Sequence, residues 1–209
     1  MHAAIVAMTE TEVDSQGLRE FHDWYNLRHM PDHVACPGFI RGSRYQAVED
    51  ESRFLAVYWI ADESALSTPE VSAAGAEGWG AIERHIRGVS SRTLRGISHS
   101  SRAHNESRSA EYLIVNWFDR RPSWTDADFE LWFAESHAPR IYQSHTVRSI
   151  FLCESADAGP KQVCLYEADS PAAAMDVSMA ARVSDLRTLR QQTFRRILTI
   201  ENTAFESLS

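Results

Sequence analysis

No uncharged apolar stretch in this 209-residue chain is longer than a single β-strand. A membrane-spanning helix of about 20 apolar residues therefore has no place in it. Cysteine is scarce: Cys36, Cys153 and Cys164 are too few and too scattered for a disulfide framework or a zinc finger. Basic charge is short as well. Twenty-one Lys and Arg against 29 Asp and Glu leave a net charge of −8, which argues against a nucleic-acid binder or a binder of anionic membranes. The opening MHAAIVAMTETEVD has no basic segment ahead of its apolar residues and turns acidic at once, so no signal peptide and a cytoplasmic location are expected. P-loop, GxGxxG, GxSxG and Cys-x-x-Cys patterns are all missing, which removes nucleotide-binding, Rossmann, serine-hydrolase and dithiol readings. What is present, 44% hydrophobic and 24% charged residues, is ordinary globular composition.

The chain resembles itself. Shifted by 108 residues, FHDWYNLRHMP (21–31) falls on FELWFAESHAP (129–139), matching Phe21 with Phe129, Trp24 with Trp132, His29 with His137 and Pro31 with Pro139. The same shift, without a gap, lays IVAM (5–8) on LIVN (113–116) and Tyr58 on Tyr166. Each copy begins with a short β-branched run, Ala3–Met8 or Tyr112–Phe118, that reads as a strand. An amphipathic helix follows, with Leu18, Phe21, Trp24 and Tyr25 at helical spacing, and Thr125–Asp128 opens its counterpart as a capping box. Pro37-Gly38 then breaks the chain before a hairpin, FIRGSRYQAV and RFLAVYWIA, turned by Glu49-Asp50-Glu51. A second helix is expected from Ala61 to Arg87, interrupted at Pro69 and over 75–80, and a last strand near Arg92–Ser98.

The order β-α-β-β-α-β is that of a ferredoxin-like unit. Its division is 1–98 for the first repeat, 99–110 for a polar linker and 111–209 for the second. In FLAVYWI both alternating sets are apolar, so each sheet needs cover on both faces. The other repeat is the most economical cover. The expected fold is α+β: two ferredoxin-like repeats packed sheet to sheet as an intrachain pseudo-dimeric barrel.

With Trp24-Tyr25-Asn26, His29, Pro31, Pro37-Gly38-Phe39 and Arg44-Tyr45, the first repeat resembles the dimeric α+β barrel proteins, and within them the EthD-like group. In the second repeat the pattern thins to Trp132-Phe133, His137 and Pro139, and His145-Thr146 replaces Pro-Gly. Proteins of this kind include methylmuconolactone isomerases, polyketide cyclases, cofactor-free quinone-forming monooxygenases and haem-degrading enzymes, so the resemblance implies a fold and no single reaction. It also implies a position. In similar lactone isomerases a catalytic histidine lies eight residues before the Pro-Gly pair, and His29 has that spacing to Pro37.

His29 is accordingly the leading candidate for general acid/base work, with His33 as a second proton carrier. A helix-end histidine that only positions the Pro31 turn is the plainer alternative, and His137 at the equivalent place speaks for it. His29 and His33 are four apart and share a helical face, but Pro31 lies between them and no third ligand is near, so no metal site is expected. Trp24, Tyr25, Asn26, Arg44 and Tyr58 are candidates for substrate binding. Trp24 is also explained by core packing, whereas Tyr25 and Asn26 become Phe133 and Ala134 in the second half. His29, His85 or His137 would be the residues to hold a haem, yet no haem motif is present and no cofactor is expected. The reading is a cofactor-independent isomerase, lyase or cyclase for a small hydrophobic, aromatic or lactone-like metabolite. A cofactor-free monooxygenase and a non-catalytic ligand-binding protein are the rivals. The partners are a small-molecule substrate and, as an allowed assembly, a second copy of the chain, with neither nucleic acid nor membrane.

Overall fold

A computed structural model describes residues 5–101, 110–155, 161–183 and 187–206. The chain divides into two compact units, one made of His2–Thr93 with Arg196–Ser209 and the other containing Leu94–Arg195. No helix among the described residues is long and apolar enough to cross a membrane.

In the first unit β1 (Ile5–Val13) leads to α1 (Leu18–Trp24), a π-helical turn (Tyr25–His29) and α2 (Met30–Val34). β2 (Phe39–Ala47) and β3 (Arg53–Ile60) follow, then α3 (Pro69–Ala76), α4 (Trp79–Ile82) and β4 (Ile86–Ser101). β3 pairs antiparallel with both β1 and β2, placing Tyr58 opposite Ala7 and Gly42, and Ala56 opposite Arg44. The start of β4 lies beside β1, tied by Thr9 and Ser91 hydroxyls at 3.0 Å. The end of β8 lies beside β2, where Ser43 and Thr199 hydroxyls meet at 2.9 Å.

Local chemistry accounts for the element ends. Asp14 bonds the backbone N–H groups of Gln16 (2.9 Å) and Gly17 (3.0 Å), starting α1 with a carboxylate where the helix dipole is positive. The Glu49–Glu51 turn is closed by Asp50, which accepts from Ser52 N at 3.0 Å and from its hydroxyl at 2.6 Å. The helix expected over Ala61–Arg87 is instead a series of short pieces: a 3-10 turn (Glu63–Ser67), α3, α4 and a second 3-10 turn (Glu83–His85). Pro69 starts α3 under a Thr68 cap, and Gly78 breaks it from α4 at φ 75°, a conformation that favours glycine. The next strand begins at Ile86 rather than near Arg92 and runs through Ser101, while residues 102–109 of the expected linker lie outside the described residues.

The second unit is built from β5 (Tyr112–Asp119), α5 (Asp126–Trp132), a π-helical turn (Phe133–His137), α6 (Ala138–Tyr142), β6 (Val147–Ser155), β7 (Gln162–Ala168), α7 (Ala173–Val183) and β8 (Arg187–Glu201). A short α8 (Thr203–Glu206) follows in the chain. β7 pairs with β5 and β6, β8 with β5, and the end of β4 with β6, all antiparallel. The capping box expected at Thr125–Asp128 is present.

Both first helices share one unusual feature. Met30 N–H bonds the carbonyl of Tyr25, and Ala138 N–H bonds that of Phe133, each skipping five residues instead of four. A proline stands next in both, at Pro31 and Pro139. Proline has no N–H for the carbonyl four residues back, and the helix accommodates the missing bond by widening for a turn rather than by stopping. The expected disturbance at Pro31 is therefore a wide turn inside a continuous helix.

Candidate active site

The site is a layer between the helix α1–α2 and the outer face of β2 and β3 in the first unit. Helical spacing puts His22, Tyr25, Asn26, His29 and His33 on the helix face that looks at the sheet. Alternation along the strands puts Gly42 and Arg44 of β2 and Phe54, Ala56 and Tyr58 of β3 on the facing surface. All seven residues singled out by sequence come together here.

Four rings form a row. Trp24 lies 4.3 Å from His29 between ring centroids, His29 lies 4.3 Å from His33, and His33 lies 5.7 Å from Tyr58. Tyr25 sets its ring against His29 at 4.6 Å, and its hydroxyl meets the Tyr58 hydroxyl at 3.4 Å. His33 Nδ1–H donates to the His29 carbonyl at 2.8 Å, which leaves Nε2 as its basic nitrogen. His29 Nδ1 is buried without a hydrogen-bond partner.

Burial governs the protonation states. It holds His29 down to about 3, reinforced by His33 and Arg44 and opposed only by a backbone hydrogen bond at Ala74. His33 is lowered by the same cause. Tyr25 and Tyr58 are raised by burial, so both are neutral phenols near neutrality. His29 is thus neutral there and a weaker base than a free imidazole, and it donates a proton only after taking one.

Arg44 has no exposed surface. Its Nη1 donates to Asn26 Oδ1 at 2.6 Å and to His22 Nδ1 at 3.2 Å. Phe21, Tyr25 and Phe54 surround the guanidinium with ring centroids 4.7, 4.6 and 4.9 Å from its central carbon. Burial lowers its pKa to about 10, which still leaves it charged at neutrality. Nε and Nη2 have no partner.

His22 and Phe54 escaped the sequence reading, although both had a signal. His22 stands four residues before Asn26, and Phe54 is two positions from Ala56, the residue opposite Arg44. Sequence reading also passed over a pair in the second unit, where His137 Nε2 meets the Tyr166 hydroxyl at 2.8 Å and His137 is 1% exposed. Burial lowers His137 to about 4. Leu152 stands at the position 108 residues beyond Arg44, so the second unit has no guanidinium in that place.

Two glycines let the helices approach. A Cβ on Gly42 would fall 2.6 Å from Val34 Cγ2 and 3.2 Å from the Tyr58 ring, and one on Gly78 would fall 2.7 Å from Trp24 Nε1. Val34 is β-branched and stiff in a helix, so it cannot swing aside cheaply. Gly42→Ala is expected to cost about 1–3 kcal/mol of stability by pushing α2 away from β2, read as a lowered urea midpoint. Beyond Trp24, on the side away from His29, lies an open groove of about 460 Å³ lined by Leu27, Arg28, Glu77, Ala81 and Ile82 among others.

Among the described residues no three His, Cys, Asp or Glu side chains come together as a metal site. The histidines do not fit an axial haem ligand as placed. His29 is enclosed by Trp24, Tyr25 and His33, His137 Nε2 is taken by Tyr166, and His85 Nε2 is taken by Arg84 Nε at 3.0 Å.

These features give the chain an α+β fold that solved structures share. A protein named as a candidate monooxygenase from Fusobacterium nucleatum has TM-score 0.66 and 10% identity, covering 96% of this chain and 95% of that one. An anthrone oxidase-like protein has TM-score 0.64 and 11% identity over 97% and 94%. A heme-binding protein from Thermus thermophilus has TM-score 0.63 and 12% identity over 100% and 95%. At these identities the likeness is one of fold. No protein-family profile and no curated protein matches the sequence.

Proposed function

We propose that the chain is a tandem, EthD-like enzyme whose first half abstracts a proton from a small aromatic or lactone-like metabolite, as a cofactor-independent isomerase, lyase or cyclase. The observation that carries this reading is His29, a buried neutral base with an unpartnered Nδ1, set among Tyr25, His33 and Tyr58. In the proposed roles His29 takes the proton and His33 relays it through its free Nε2. Tyr25 and Tyr58 place the substrate oxygen, Arg44 binds the substrate, Asn26 steadies Arg44, and Trp24 walls the site. The tandem reading takes 1–98 as the active half, 99–110 as linker and 111–209 as the other half; the recurrence of elements supports the repeat, while β4 runs on through Ser101 across the first of those bounds. α1, its wide turn, α2 and β2 recur 108 residues later as α5, its wide turn, α6 and β6. That Phe133, Ala134 and Leu152 stand where Tyr25, Asn26 and Arg44 would be supports an active first half.

The same abstraction would leave an electron-rich anion, and two structural neighbours carry the names monooxygenase and anthrone oxidase-like. A cofactor-free monooxygenase is therefore the second reading. A panel of unsaturated γ-lactones and hydroquinones, incubated in D2O on an oxygen electrode, separates them. Solvent deuterium in the product without oxygen uptake supports the isomerase, lyase or cyclase. Stoichiometric oxygen uptake supports the monooxygenase instead. Saturable binding with neither signal would leave a non-catalytic ligand-binding protein and overturn both.

A further inference from the structure

Arg44 is a buried cation without a counter-charge among the described residues. Its bonded partners, Asn26 and His22, are neutral: Asn26 has no charge, and His22 accepts through Nδ1 and is lowered by burial and by Arg44 itself. The two phenols beside it, Tyr25 and Tyr58, are held neutral by burial. No carboxylate of the described residues bonds it. The rings of Phe21, Tyr25 and Phe54 meet the flat face of the guanidinium, and a ring face does nothing for N–H groups at the edge.

The pattern of satisfied and unsatisfied nitrogens is informative. Nη1 makes both of its bonds, to Asn26 and His22, and these hold the group in one orientation. The two nitrogens left over are Nε and Nη2. Their N–H bonds run parallel along one edge of the guanidinium and match the two oxygens of a carboxylate. A surface arginine would turn that edge to water, but Arg44, with no exposed surface, cannot. An unpaired buried charge is among the costliest features a fold can keep, and it persists at sites that use it.

We infer that the Nε–Nη2 edge of Arg44 is the docking point for a planar carboxylate, so that the metabolite handled by this site is an acid: an aromatic or lactone ring bearing a carboxylate group. This inference rests on the proposed function, since it names the substrate class of the same site. Charge and ring are recognised together, the carboxylate by the guanidinium edge and the apolar body by Phe21, Phe54 and Tyr25. A phosphate or sulfate is disfavoured by its tetrahedral shape and greater charge in so enclosed a space. A neutral amide of the same shape would have to point an N–H₂ group at an N–H donor. Because Arg44 is fully enclosed, the surrounding rings must move to admit the ligand.

The test uses the intact protein with benzoate and its neutral isostere benzamide as probes, read by ¹⁵N NMR of arginine side chains and by calorimetry. The Arg44 Nε–H signal is assigned by its disappearance in Arg44→Lys. Benzoate is expected to shift that signal and the ring signals of Tyr25 and Phe54, with one-to-one stoichiometry and at least about ten-fold tighter binding than benzamide. In Arg44→Lys, which keeps the charge and loses the parallel edge, the preference is expected to fall below about three-fold. If Arg44→Lys does not fold, the comparison of benzoate with benzamide on the unaltered protein still decides. Equal affinity for the two probes, or benzoate binding that leaves the ring signals of Tyr25 and Phe54 unmoved, overturns the inference. Carboxylate binding at Arg44 without turnover of any panel compound sinks the proposed function and leaves the docking point standing. Turnover confined to uncharged substrates does the reverse.

Discussion

His29→Ala is expected to fold and to lose turnover by about 10²–10⁴-fold, the range that a positioned proton-transfer group contributes. The loss should fall on kcat, because the His29 nitrogen acts on the proton in flight while Arg44, Tyr25 and Tyr58 still bind the substrate. Some stability goes with the ring, which packs 4.3 Å from both Trp24 and His33. A thermal melt run beside the kinetics separates that from the chemical loss. His33→Ala should be milder, since His33 is once removed as a relay. His29→Ala with undiminished kcat would remove His29 from the mechanism.

Acid is expected to destabilise the protein well before its carboxylates titrate. His29 and His137 have ordinary values of 6.5 in the unfolded chain and are held to about 3 and about 4 in the fold. Between those limits the unfolded chain takes up protons that the folded chain refuses. Stability is therefore full above pH 6.5 and falls as pH drops below it. Each unit of that gap is worth about 1.4 kcal/mol, so each histidine withdraws roughly 2–3 kcal/mol by pH 4.5. Together they remove about 5 kcal/mol from a domain that has about 5–15 kcal/mol in all. His22, His33 and His99 are lowered too and act with the same sign. Urea midpoints between pH 7.5 and 4.5 should fall steeply, and His137→Gln should flatten the slope by roughly half of the pair's share. A midpoint independent of pH over this range would show that neither ring is held neutral by the fold.

The helices and strands were legible where spacing speaks directly. Phe21 and Trp24 announce the buried side of α1, and their counterparts Phe129 and Trp132 announce α5 at the same offset. The hairpin at Asp50 was legible because aspartate and glutamate there can only face water. Three things were hidden. The wide turn after Trp24 is invisible to periodicity, since Pro31 reads as a stop. The burial of Arg44 runs against the habit of arginine, and β3 is apolar on both alternating sets, so neither face of the hairpin declares itself as the one that meets α1. The bond from Arg44 to His22 depends on how the helix lies across the sheet, which no local pattern states. In the second unit the sequence offered His137 as a helix-end histidine that positions its turn, and its bond to Tyr166 had no local signal.

The wide turn has a consequence for how this chain is compared with others. A π turn carries one residue more than the α-helical path it replaces, so Tyr25–His29 holds a surplus residue inside an otherwise regular helix. A relative with a plain helix here would match this chain residue for residue on one side of the turn and be out of step by one on the other. An alignment that forbids gaps inside helices would then pair His29 and His33 with their neighbours' partners, and it would do so twice, again at Phe133–His137. Likeness in the course of the backbone can then go with little likeness in the letters of the sequence.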